Sequence, residues 1–203
     1  MEVNVLLQGY THWIFDMDGT LTMPVHDFDS IRAELGVEEG HSILEAIEKM
    51  NERQAAKIKT KLAKIETDLA YQALPQPDIE FLLTGLINLG CKVGILTRND
   101  EQIAHQTLRA AGLDSFFEDK VVIGRETCKP KPDPAGVLYL MKMWGATAES
   151  TLIVGDYLHD LKAGYEAGIT TVHFDSSEIY PWPKYTDHRV ASMKQLLAMT
   201  ELK

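Results

Sequence analysis

The feature that most constrains this chain is a set of short apolar runs separated by helical stretches. His12–Met17, Cys91–Thr97, Thr151–Asp156 and Thr170–Phe174 read as buried strands, and Lys120–Ile123 as a short fifth. Helical patterns over Asp100–Ala111, Pro134–Trp144 and His159–Ala167 lie between them. Apolar runs this short, alternating with helices, imply a parallel sheet covered on both faces. The expected class is α/β.

One stretch breaks the rhythm. No strand is expected from about Met23 to about Leu82, where Asp29–Leu35, Ser42–Met50 and Glu52–Ala73 read as helices. In the third, Ile58, Leu62, Ile65 and Leu69 recur at spacings of four, three and four, which gathers them on one helical face. Pro75 and Pro77 close the segment. A length of 203 residues suits one domain carrying a smaller insertion. The expected division is a core of residues 1–22 and 83–203, interrupted by an all-helical insertion over 23–82.

In open parallel sheets, ligands bind beyond the carboxyl ends of the strands, and adjacent parallel strands bring those ends to one edge. The polar residues that end the runs are Asp16, Asp18, Thr97 and Asp156. Asp16-Met17-Asp18-Gly19-Thr20 sets two carboxylates two residues apart, where the chain can turn. Such neighbours repel unless a cation lies between them or one holds a proton. The pair suits phosphoryl transfer from an ester. One carboxylate attacks phosphorus; the other protonates the leaving alcohol and later deprotonates water. A solvated acidic turn is the plain reading of a bare Asp-x-Asp, but this longer motif directly after an apolar strand is much more specific.

Leu96-Thr97-Arg98-Asn99 ends the second run. Its hydroxyl and the next backbone amides suit phosphate oxygens at a helix N-terminus; alternatively Thr97 or Asn99 simply caps the helix. In Lys129-Pro130-Lys131-Pro132-Asp133-Pro134 the prolines stiffen a segment that can hold a lysine over negative charge. Residues two apart in a polyproline-like segment point in different directions, so only one lysine should face the site. Lys131 is the choice, because Asp133 and Pro134 make a helix start just beyond it. In Gly155-Asp156-Tyr157-Leu158-His159-Asp160, Asp156 ends a buried strand, where an unpaired carboxylate is expensive. Magnesium would compensate, since it takes octahedral oxygen ligands and keeps several waters. Asp160 serves the metal through water, orients Lys131 or caps the following helix.

Four motifs in this order resemble the haloacid dehalogenase superfamily, in its phosphatase branch with a helical cap after the first motif, similar to phosphoglycolate phosphatases. The resemblance covers residues of about 10–22 and 83–200. It implies a Rossmann-like parallel sheet core, with the helical insertion as a substrate-covering cap. It implies Asp16 as the nucleophile and Asp18 as the acid/base. Thr97, Arg98 and Lys131 would hold phosphate. Mg2+ would be held by the Asp16 carboxylate, the Asp18 backbone carbonyl and Asp156, with Asp160 in support. The implied activity is Mg2+-dependent hydrolysis of a small phosphomonoester through an aspartyl phosphate; phosphoglycolate-like and sugar phosphates are both candidates. A phosphomutase shares every core motif, and a non-catalytic phosphate-binding module is also open. A haloacid dehalogenase lacks the second acid, so Asp18 argues against it.

The formal net charge of -10 bears on partners. Such a surface repels nucleic acid and anionic lipid, so neither is an expected partner; it would also repel phosphorylated substrates, so the small phosphorylated metabolite that the resemblance implies needs local positive charge or a metal. Cys91 and Cys128 make neither a disulfide framework nor a zinc site. With no signal-peptide pattern and no apolar run long enough to span a membrane, a cytoplasmic setting is expected. His26, His41, His105, His159, His173 and His188 lack zinc-ligand spacing and read as structural or exposed. Arg53, Lys57, Lys59, Lys61 and Lys64 read as a solvated helix face. Tyr180-Pro181-Trp182-Pro183 follows the last expected strand, on the same edge as the motifs, as a pocket rim, a subunit contact or a packed loop. The substrate and the oligomeric state are not legible.

Overall fold

The computed structural model describes residues 7–25, 27–38 and 42–200. Its centre is a six-stranded sheet in the order β3-β2-β1-β4-β5-β6, built from β1 (His12–Phe15), β2 (Lys92–Leu96), β3 (Val122–Ile123), β4 (Thr151–Gly155), β5 (Thr170–Phe174) and β6 (His188–Val190). Every pair is parallel. The alternating runs therefore form the α/β, Rossmann-like sheet expected of them. Trp13, Ile14 and Phe15 of β1 are buried, as are Leu152, Ile153 and Val154 of β4, which places both strands in the middle of the sheet. β6 was not anticipated: His188-Arg189-Val190 is short and carries no apolar run to mark it.

Helices α4 (Ile79–Asn88), α5 (Glu101–Ala110), α6 (Ala135–Trp144), α7 (Leu158–Ala167) and α8 (Met193–Ala198) cover the sheet. Close packing sets some of their residues. At Gly164 of α7, a Cβ would lie 2.4 Å from Ile153 Cγ2 of β4, so only glycine lets the helix approach that strand. α4 and α8 escaped the sequence reading. The expected boundary at residue 82 falls inside α4, whose Ile79, Leu82, Leu83 and Leu86 all join the main hydrophobic cluster.

Between β1 and α4 lie α1 (Phe28–Leu35), α2 (Ile43–Glu48) and α3 (Glu52–Ala70). Each starts on a side-chain cap: Asp27 accepts from Ser30 N, Ser42 from Glu45 N and Asn51 from Gln54 N. Such caps satisfy backbone donors that the first helical turn leaves bare. Ile31, Leu35, Val37, Ile47 and Leu62 form a second, smaller cluster, with Ile58, Ile65 and Leu69 packed against it. The four-three-four face of α3 is thus the face it turns to α1 and α2. Arg53, Lys57, Lys59, Lys61 and Lys64 are all exposed. Of the histidines, His26 and His41 lie outside the described residues. Among the described residues, no helix is long and apolar enough to cross a membrane.

Candidate active site

The register of the central strands gathers the motifs. Phe15 of β1 is level with Ile95 of β2 and Val154 of β4, so Asp16, Thr97 and Asp156 emerge at one edge. The strand order changes direction between β1 and β4, which is where open sheets of this kind form a crevice. After Asp16 the chain turns tightly: Gly19 N donates to Thr22 O, and Met17 O accepts from the amides of Leu21 and Thr22. Gly19 has φ 89°, and a Cβ there would sit 2.4 Å from Asp156 Oδ2. A side chain at this position would displace Asp156. Thr20 Oγ1 donates to Asp156 Oδ1 at 3.3 Å. The Gly-Thr of the first motif therefore locates the carboxylate of the fourth.

Lys131 is fully buried, and its Nζ donates to Asp16 Oδ1 and, at 2.6 Å, to Asp160 Oδ1. Lys129 points away; its side chain is 81% exposed, with Nζ 3.9 Å from Asp133. Asp133 Oδ1 accepts from Ala135 N at 2.9 Å, so the helix start lies beside Lys131 as expected. Two of the three alternatives for Asp160 coexist in one side chain. One oxygen orients Lys131, and the other accepts from Tyr157 N at 3.0 Å to cap α7. Carboxylate oxygens of Asp16, Asp156 and Asp160 all lie within 4.8 Å of one another. His173, buried in β5, brackets the Asp156 backbone through Nε2 and the carbonyl oxygen at 3.3 Å.

Thr97 is buried, and its hydroxyl accepts from Asn99 N at 3.1 Å. Neither Thr97 nor Asn99 caps α5; Asp100 does, accepting from Gln102 N. Asn99 instead donates from Nδ2 to Asp18 Oδ2 at 2.7 Å, a contact the sequence reading missed. Arg98 donates to Ser42 Oγ at 2.8 Å and pairs with His159 Nδ1 at 2.8 Å. Arg125 and Glu66, also missed, form a bidentate ion pair with both contacts at 2.9 Å. These residues line a cavity of about 510 Å³. Its floor is Asp16, Asp18, Thr97, Lys131 and Asp156; Ile31, Ile43, Leu44 and Leu62 face it from the insertion. Trp182 stacks its edge against Tyr157 (ring centroids 5.0 Å apart), which puts the Tyr180–Pro183 loop behind a rim residue.

The electrostatics follow from crowding acids in a dry place. Burial, then the neighbouring Asp160, pushes Asp16 up to about 7. Burial, offset by the Asn99 hydrogen bond, pushes Asp18 to about 6. Burial, with Asp16 and Asp160 alongside, takes Asp156 to about 9. Burial alone would lower Lys131, but Asp16 and Asp160 raise it instead. One ammonium does not neutralise three carboxylates, and the remaining charge is what a hard divalent cation would compensate. Asp16 and Asp156 fit that role best. Both oxygens of Asp160 already have protein partners, and the Asp18 carboxylate is held by Asn99.

Comparison with known proteins agrees with this geometry. The chain is 29% identical over 184 residues to a phosphoglycolate phosphatase of Pseudomonas syringae pv. syringae, covering 78% of this chain and 67% of that protein. A phosphoglycolate phosphatase of Aquifex aeolicus is 28% identical over 176 residues, covering 78% and 81%. A crystal structure of a HAD hydrolase, family IA, variant 3, from Entamoeba histolytica superposes with a TM-score of 0.77 at 18% identity, covering 94% of this chain and 98% of that one. The family model described as haloacid dehalogenase-like hydrolase matches residues 13–174, from the strand that presents Asp16 to the one that holds His173. With the motifs, the sheet order and that match in agreement, the chain belongs to the haloacid dehalogenase-like hydrolase family.

Proposed function

We propose that the protein is a Mg2+-dependent phosphatase that hydrolyses a small phosphomonoester through an aspartyl phosphate on Asp16. The observation that carries this reading is the different treatment of two carboxylates two residues apart. Asp16 is pinned by Lys131 beside Asp156, whereas Asp18 is held off by Asn99. A nucleophile and an acid/base need this separation of environments.

Asp16 attacks phosphorus and the ester oxygen leaves with a proton from Asp18, whose elevated affinity for protons suits a general acid. Asp18 then deprotonates the water that cleaves the acyl phosphate. Lys131 offsets the charge that develops on the phosphoryl oxygens, and Thr97 holds one of them. Mg2+ held by Asp16, the Asp18 carbonyl and Asp156 would supply charge neutralisation and orientation when bound. The insertion, residues 23 to about 78, covers the site as a cap and excludes bulk water. The two unpaired cysteines, Cys91 and Cys128, suit a reducing, cytoplasmic setting.

The test is a panel of phosphoesters assayed for phosphate release with Mg2+, with excess chelator, and with Asp16→Asn. Turnover that requires Mg2+ and Asp16 is expected. Full activity in chelator, or in the variant, would remove the metal or the nucleophile from the mechanism.

A further inference from the structure

Four cations line the cavity: Arg32, Arg98, Arg125 and Lys131. Three are neutralised by carboxylates. Arg32 pairs with Asp29 at 2.6 Å, Arg125 with Glu66, and Lys131 with Asp16 and Asp160. Arg98 differs. Among the described residues no carboxylate pairs with it, and it is held by the Ser42 hydroxyl and His159 Nδ1. A guanidinium has no acceptor, so Nδ1 must accept and the imidazole is neutral. Both holders are therefore uncharged. They orient the guanidinium without cancelling its charge. Its Nε is buried and has no hydrogen-bond partner. Glu45, exposed at the cavity, forms no ion pair with Arg98; Asp160, Glu45 and Asp16 act on its guanidinium only at longer range.

The sequence puts Arg98 on the substrate phosphate with Thr97 and Lys131, but its hydrogen bond to Ser42 ties it to the insertion. Lys131 and Thr97 sit on the floor beside Asp16. Arg98 reaches across to Ser42, the N-cap of α2 in the insertion. From the insertion, Ile31, Ile43, Leu44 and Leu62 line the cavity together with Arg32, Ser42, Glu45 and Glu66. Its volume suits a small ligand.

We propose that Arg98 is a selectivity residue that binds a second anionic group of the substrate, across the cavity from the phosphoryl being transferred. The proposal rests on the phosphatase reading and narrows it. The favoured substrates are short phosphomonoesters bearing a carboxylate or a second phosphate, rather than neutral sugar phosphates. A guanidinium fork suits either group, because both accept paired hydrogen bonds in one plane.

Three probes of similar length separate the cases: 2-phosphoglycolate, ethane-1,2-diyl bisphosphate and 2-hydroxyethyl phosphate. The kcat/KM of each is measured with Mg2+ for the wild-type protein, Arg98→Lys and Arg98→Gln. The wild type is expected to prefer at least one anionic probe over the neutral one by about tenfold to a hundredfold, the range for a charge-assisted contact. Which probe leads identifies carboxylate or phosphate as the second group. Arg98→Gln should bring the ratio close to one, and Arg98→Lys should keep part of it. A wild-type enzyme without preference overturns the proposal and needs no variant to fold. Equal loss on all three probes in Arg98→Gln also overturns it, because Arg98 would then act on the transferred phosphoryl. No turnover on any probe sinks the phosphatase reading and this proposal with it.

Discussion

The cavity has two walls of different construction. The floor is a dense charge network at the ends of β1, β2 and β4, set by strand register and backed by the main hydrophobic cluster. The opposite wall mixes Ile31, Ile43, Leu44 and Leu62 with Arg32, Ser42, Glu45 and Glu66, and belongs to helices with a small core of their own. Among the described residues, two polar ties join that wall to the floor's side: Ser42 to Arg98 and Glu66 to Arg125. A floor so constrained tolerates little change, because moving one carboxylate disturbs all the rest. The wall can vary its side chains while the floor stays in place. The floor and the opposite wall thus belong to separate packing units.

Asp16→Asn is the hardest test of the floor. Turnover should fall by on the order of 10⁴-fold or more, as expected for loss of a nucleophile. Its thermal unfolding midpoint should hold or rise, since one of three crowded charges is gone. A variant with wild-type kcat would show that the chemistry lies elsewhere.

Next in size is the contrast between two lysines. Lys131→Ala should lose about a hundredfold in kcat, about 3 kcal/mol of stabilisation of the developing charge. It should also unfold earlier, because Asp16 and Asp160 lose their shared partner. Lys129→Ala should change neither quantity appreciably, given its exposure. If Lys129 proved the more damaging site, the floor would have to be rebuilt around it.

Glu66→Gln addresses the wall. It replaces a bidentate pair with a single neutral contact to a half-buried Arg125 and should cost about 2 kcal/mol of stability. Steady-state kinetics should show KM altered more than kcat. An equal fall in kcat would mean that the insertion contributes to chemistry and that the separation of the walls is false.

The smallest expected effect is a pH-dependent shift in unfolding temperature. Asp16, Asp18 and Asp156 rise from 3.8 to about 7, 6 and 9 in the metal-free fold. Raised carboxylates bind protons more tightly folded than unfolded, so their contribution is full below about pH 4 and is lost as pH rises through 6 to 9. On the proposed mechanism, bound Mg2+ would replace those protons. It should therefore stabilise the protein more at pH 8 than at pH 5, by about 2–4 °C for each kcal/mol of differential binding. Equal Mg2+ shifts at both pH values in differential scanning fluorimetry would place the metal away from these carboxylates.

Much of the floor was legible because its residues sit in short motifs at strand ends. Asp16, Thr97 and Asp156 each follow an apolar run, and a parallel sheet has only one edge to which those ends can go. Lys131 was legible from the helix start beside it. Asn99 was not, because its partner Asp18 is 81 residues away and nothing local distinguishes this amide from a helix cap. The Glu66–Arg125 pair spans 59 residues, and Glu66 lies in a helix otherwise read as an amphipathic face with basic residues. α4 was obscured by two prolines that seemed to end the insertion, and β6 by its three-residue length.

Local periodicity and motif spacing alone determined the alternating strands and helices, the all-helical character of α1 to α3 and the acidic strand ends. These are properties of neighbouring residues, and burial of apolar runs enforces them wherever the chain goes. Only the tertiary structure decided which charges cancel. Lys131 and Asp160 share a contact, Glu66 neutralises Arg125, and Arg98 is left to Ser42 and His159. Each of those outcomes depends on distances between side chains brought from separate elements. Coulombic and hydrogen-bond energies change steeply over a few ångströms, a scale that spacing along a chain does not specify.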